Sequence, residues 1–186
     1  ASAGSITAVA DDDINIYVAD RVDEVDATAG GYIDIDASDA GTITADAGGY
    51  VDIDAGSGGI EVVVATAGDD VDIDSAGDVG SVDATASDNI YIDVADGASA
   101  GSITAVADDD ININVADSVD EVDATAGDDI YIDASDAGTI TADAGRYVDI
   151  DAGSGGIEVV VATAGTDVYI DSAGDVGSVD ATASDN

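Results

Sequence analysis

The chain contains no Leu, Lys, Pro, Cys, Met, Phe, Trp, His or Gln. Without Cys there are no disulfides, thiolate metal sites or Cys nucleophiles. Without His or Lys, no mechanism can use either as acid, base or ligand. Two basic residues, Arg21 and Arg146, stand against 43 acidic ones, for a formal net charge of −41. A nucleic-acid interface needs Lys and Arg against phosphate and is excluded. No apolar run approaches the ~18 residues of a membrane span, and the residues from Ala1 onward do not read as a signal peptide.

High charge with only 4% aromatic residues is a compositional mark of disorder. The pattern points the other way. Hydrophobic residues make up 46% of the chain and mean hydropathy is +0.18. Apolar and polar residues alternate in Ile14-Asn15-Ile16-Tyr17-Val18 and Val51-Asp52-Ile53-Asp54-Ala55. A period of two is the signature of a half-buried strand.

Residues 1–89 match residues 98–186 at a shift of 97, with eight differences. These are Tyr17/Asn114, Arg21/Ser118, Gly31/Asp128, Tyr32/Asp129, Asp34/Tyr131, Gly49/Arg146, Asp69/Thr166 and Asp72/Tyr169. Tandem copies therefore span 1–97 and 98–186, the second ending short of a full unit. Each unit divides into five shorter ones, whose first strands begin at Ile6, Val25, Ile43, Val63 and Val82, then again at Ile103. A first segment reads apolar-x-Ala-x-Ala, as in Val25-Asp26-Ala27-Thr28-Ala29. A turn such as Gly30-Gly31-Tyr32 follows, then a second strand such as Ile33-Asp34-Ile35-Asp36-Ala37, then a variable Asp/Gly/Ser-rich corner.

Equivalent strands recur in one direction, so hairpins cannot pair them. The spacing predicts a single all-β, parallel β-solenoid of about ten coils of ~19 residues, each strand pairing with its counterpart one coil on. Coils stack at about 4.8 Å, so a 97-residue unit rises roughly 24 Å. Ile6, Ala8, Ala10, Ile14, Ile16, Ile33, Ile35, Ile53, Ile73 and Ile92 are expected inside. The eight differences agree, since all fall at turns or outward positions. The chain starts at Ala1 and stops at Asn186 in a turn, with no polar cap evident at either end, and reads as an internal segment of a longer repetitive chain.

The stretch Gly41-Thr42-Ile43-Thr44-Ala45-Asp46-Ala47-Gly48-Gly49-Tyr50-Val51-Asp52-Ile53-Asp54-Ala55 resembles the repeats of filamentous haemagglutinin-like adhesins and related large exoproteins. The resemblance covers nearly the whole chain, in repeat style. It implies a right-handed parallel β-helix, secretion, and a role as a cell-surface fibre or adhesin. Those repeats commonly carry Leu, Asn and Lys, whereas Asp supplies the polarity here, which suits a saline or marine habitat or a cation-binding variant.

On the second strands the expected outward columns carry Asp34, Asp52, Asp72 and Asp149 in one row and Asp36, Asp54, Asp74, Asp151 and Asp171 in the other. Two readings of these carboxylates stand open. One is a solvated acidic surface suited to high salt, with no cofactor required. The other is a Ca²⁺ ladder bridging adjacent coils, since Asp is a hard oxygen ligand. No EF-hand loop or β-roll nonapeptide is present. The triplets Asp11-Asp12-Asp13 and Asp108-Asp109-Asp110 are dense clusters and also ordinary turn residues.

Outward positions of the first strands are milder, reading Val9, Thr28, Asp46, Thr66, Thr85, Val106, Thr125, Asp143, Thr163 and Thr182. That face is where another filament could pack; the Asp and Val positions interrupt the Thr row and weigh against ice binding. Arg21 and Arg146 occupy non-equivalent positions, each replaced in the other copy, and no catalytic constellation emerges. The residues thus lead to a non-enzymatic structural segment of an extracellular filament or adhesin stalk that associates with itself axially and laterally. The alternative is a Ca²⁺-stabilised adhesive module contacting carbohydrate or another cell.

Overall fold

A computed structural model describes residues 3–95 and 97–184. Ala1 and Asn186, on which the expectation about the chain ends rests, lie outside the described residues.

Among the described residues there are fourteen strands and no helix: β1 (Ala3–Ala10), β2 (Ile14–Ala29), β3 (Ile33–Ala47), β4 (Val51–Ala55), β5 (Ile60–Ala67), β6 (Val71–Ser75), β7 (Val79–Ala86), β8 (Ile90–Val94), β9 (Ala100–Ala107), β10 (Ile111–Ala126), β11 (Ile130–Ala144), β12 (Tyr147–Ala164), β13 (Asp167–Ser172) and β14 (Val176–Ala183). Every pairing is parallel, and the strands stack into a β-solenoid. First strands supply ten rungs, from Ile6 to Val179, and second strands nine, from Ile14 to Val168, so the described chain makes about nine complete turns.

The register follows the repeat. Ile16, Ile35, Ile53, Ile73, Ile92, Ile113, Ile132, Ile150 and Ile170 form one unbroken ladder. The first strands carry two ladders made wholly of Ala, one through Ala27, Ala45 and Ala65, the other through Ala29, Ala47 and Ala67. All three line one continuous apolar core. Small Ala methyls opposite β-branched Ile let the two faces interdigitate at native density. Ile33, Ile35, Ile53 and Ile73 are fully buried; Ile6, Ala8, Ala10 and Ile16 point into the same core but are partly buried, because the terminal coil has a neighbour on one side only.

A further inward row lies in what the sequence suggests is a polar corner. Val22, Ala40, Ile60, Val79 and Ala100 are buried and pair in series. The first strands therefore begin three residues earlier than the alternation indicates, with two outward residues in succession, such as Glu61 and Val62, before Val63 turns inward. Two outward neighbours break the period of two, which hides this row from a search for alternation.

All variation in coil length falls at one place. From the last inward residue of a second strand to the next inward row the intervals are 4, 3, 5, 4 and 6 residues: Val18 to Val22, Ala37 to Ala40, Ala55 to Ile60, Ser75 to Val79, and Val94 to Ala100. The other steps of the coil are constant, so insertions leave the core in register. Pairing shifts register at this corner, as between Val18 and Arg21. Gly59 and Gly156 sit there with φ of 75° and 90°, where a Cβ would strike the carbonyls of Asp78 and Asp175. Ser75 is buried at the same corner and satisfied locally, its Oγ donating to the Gly77 carbonyl at 2.8 Å.

Candidate functional surfaces

The parallel register turns the second-strand Asp residues into two straight rows on one sheet face. Asn15, Asp34, Asp52, Asp72 and Tyr91 follow one another in the first row. Tyr17, Asp36, Asp54, Asp74 and Asp93 form the second. In the second copy Asp149 lies between Tyr131 and Tyr169, and Asp151 lies between Asp133 and Asp171. Asp52, Asp54, Asp74 and Asp151 each have a carboxylate one rung above and one below, at about 4.8 Å, whereas Asp149 has tyrosines on both sides. Burial in this crowded face, reinforced by Asp54, Asp72, Asp34 and Asp74, pushes the Asp52 carboxyl up to about 6. Asp72 and Asp74 are raised for the same reason, burial first and neighbouring carboxylates second. Among the described residues no three carboxylates converge in an arrangement that could hold a metal ion; the candidate Ca²⁺ ligands stand in rows.

The turn carboxylates have a structural use that composition does not reveal. Asp70 Oδ1 accepts from the backbone N–H of Asn89 at 3.0 Å and from Asn89 Nδ2 at 3.0 Å. Asn89 Oδ1 then accepts from Asp110 N at 3.2 Å, Asp110 Oδ1 from Asp129 N at 3.0 Å, and Asp129 Oδ1 from Tyr147 N at 3.2 Å. Each side chain holds the backbone of the next coil at the place where the strand ladder is interrupted. These turn residues act as hydrogen-bond acceptors between coils in addition to suiting turns. Their repetition at coil spacing was visible in the sequence; their partners, 18 to 21 residues away, were not.

Both arginines bind acidic residues of neighbouring coils. Arg21 reaches Asp23 at 3.1 Å, Asp39 at 2.8 Å and Glu61 at 3.2 Å, linking three successive coils. These bonds raise its pKa, Asp23 first. Arg146 lies 3.6 Å from Asp128 and 3.7 Å from Asp129, and its guanidinium carbon is 5.3 Å from the centre of the Tyr147 ring. At the matching place in the first copy, Tyr32 and Tyr50 stack with centroids 4.9 Å apart and planes 1° from parallel. Tyr32/Asp129 and Gly49/Arg146 are thus a coupled exchange, an aromatic stack for an ion pair with a cation–π contact. Asp129 is the one differing position that is buried, and it lies in the turn, outside the apolar core.

The first-strand face carries the Thr/Val row in the anticipated register, with Val9, Val64, Val106 and Val161 exposed on that side. No helix among the described residues is long and apolar enough to cross a membrane. Compared with protein-family models, curated proteins and solved structures, the chain matches none of them.

Proposed function

We propose that the chain is a structural segment of an extracellular filament or adhesin stalk, lengthened along its axis by adding copies of the 97-residue unit. One observation carries this reading: the seam between the two copies is built like any other level of the stack. Across it, β7 pairs with β9 from Val79↔Ala100 to Ala86↔Ala107, and β8 with β10 from Ile90↔Ile111 to Val94↔Val115. The inward rows cross it unbroken, so a further copy added after a completed second unit meets the same kind of surface that the second copy meets. The net charge of −41 suits a polymer that stays soluble and does not bundle through its acidic face, particularly in saline surroundings.

The test is to produce chains with two, three and four 97-residue units and measure their length by small-angle scattering and electron microscopy. A rod that grows by roughly 24 Å per unit at constant width is expected. Length that saturates, or separate globules joined by linkers, contradicts axial extension. Protease treatment of intact cells carrying the gene tests the surface location: the protein should be cleaved while cytoplasmic markers survive.

A further inference from the structure

From the sheet face of the second strands we infer a binding surface for an extended, uncharged β-1,4-linked glycan, laid along the solenoid axis across Tyr91, Tyr131 and Tyr169. These three tyrosines occupy one row, separated by single rungs that carry Asn112 and Asp149. They are 43%, 42% and 56% exposed. Two rungs of a parallel sheet are roughly 9.6 Å. That is close to the length of one disaccharide unit in a fully extended β-1,4-linked chain, in which every second sugar presents the same face. Three rings at this interval can each meet the C–H face of every second sugar.

The hydrogen-bonding groups between the rings fit the same ligand. Two shallow depressions lie beside this row. One, of about 360 Å³, is bordered by Asn112, Asn114, Tyr131 and Asp149. The other, of about 300 Å³, is bordered by Tyr91, Asn112 and Asp93. Ionised carboxylates only accept hydrogen bonds, so their partner must be rich in donors and free of negative charge. Sugar hydroxyls meet that need, whereas a uronate or sulfated glycan is repelled, as is the acidic face of a second copy of this chain. The Tyr131 hydroxyl donates to Asp129 at 3.4 Å, which restrains the central ring before any ligand arrives.

The repeat itself provides a contrast. Two of the eight differences between copies, Asp34/Tyr131 and Asp72/Tyr169, install rings in this row, and the third ring, Tyr91, lies in the segment that joins the copies. The first four rungs of the same row, Asn15, Asp34, Asp52 and Asp72, carry no ring. The folds at the two places are alike, so the ring-bearing half should bind and the Asp-bearing half should not.

Titration calorimetry of the 186-residue chain with cellohexaose and chitohexaose distinguishes glucan from chitin-like chains; binding of either supports the inference. Tyrosine fluorescence should change on binding, since the chain has no Trp. Tyr131→Asp installs the residue that the first copy already tolerates at Asp34, and should weaken binding roughly tenfold with the thermal transition retained. Tyr131→Thr introduces a β-branched residue suited to a strand, without added charge, and should do the same. A disaccharide, too short to span two rings, should bind much more weakly than the hexasaccharide. The inference is overturned if neither hexasaccharide binds, if both Tyr131 variants bind as the parent does, or if the curved α-1,4-linked maltohexaose binds equally well. None of these results bears on rod length, so the filament reading stands or falls separately.

Discussion

Arg21 donates through Nη1 to Asp39 Oδ1 at 2.8 Å across one rung of the solenoid, while Ser118, at the equivalent place in the second copy, instead shares a 3.0 Å hydrogen bond with Ser99. Asp136 and Glu158, the counterparts of Asp39 and Glu61, therefore lack this arginine. Ser118→Arg should raise the thermal midpoint by a small amount, on the order of 2 °C, and Arg21→Ser should lower it similarly. Both shifts should shrink in 1 M NaCl, since the groups are solvent-accessible. Scanning calorimetry of the two variants at low and high salt checks this.

The Asp52 carboxyl, pushed up to about 6, makes stability depend on pH in the direction opposite to ordinary acid denaturation. A group with a higher pKa folded than unfolded gains a proton on folding. Its contribution is complete below the ordinary carboxylate range near 4 and is lost as pH rises through about 6. Asp72 and Asp74 act in the same sense. The thermal midpoint should therefore rise as pH is lowered from 7.5 towards 4. Asp52→Asn, matching Asn15 and Asn112 in its row, should raise the midpoint at pH 7.5 and flatten the profile. A profile that falls steadily with acid contradicts this account.

Carboxylates about 4.8 Å apart repel by roughly 0.9 kcal/mol per pair in bulk water. Sodium chloride should stabilise the fold, steeply up to about 0.15 M, where the screening length is about 8 Å, and more gently above. Calcium and magnesium chloride at matched ionic strength separate screening from bridging. Equal midpoints mean screening of the rows; a higher midpoint in millimolar calcium alone means bridging between Asp residues of adjacent coils.

Asp70→Ala should cost about 1–2 kcal/mol in urea unfolding, because it removes the acceptor of two bonds from Asn89. Asp70→Asn retains an acceptor oxygen and should cost less. Amide exchange at Asn89 should accelerate in the Ala variant, which a general loss of surface charge would not produce.

Ile73→Ala should destabilise by about 2–5 kcal/mol, since the side chain is fully buried between Ile53 and Ile92 of its ladder. Ala45→Leu should also destabilise, by about 1–3 kcal/mol, because Ala45 is buried in the core between Ala27 and Ala65 and added methylenes overpack such a site. Ile73→Val should cost little. Urea midpoints for the three variants rank these effects.

The amino-acid sequence by itself determined the coil and its interior rows. A repeat of ~19 residues with alternating Ile and Asp leaves one parallel register, because a slip of one residue would bury Asp52 and expose Ile53. It also placed the Asp rows and the Thr/Val row on outward faces, since outward positions follow from inward ones. Tertiary structure decided what depends on partners one coil away. Val22, Ala40 and Ile60 turn inward because the chain bends beside them, which no local periodicity records. Asp70 and Asp110 gain their roles from amides on the next coil, Arg21 its three partners from three levels of the stack, and Asp52 its raised pKa from burial in the stacked face and, second, from neighbouring carboxylates. Stacking distance and side-chain reach, about 4.8 Å per rung, set all of these, and neither is written in the order of residues along one coil.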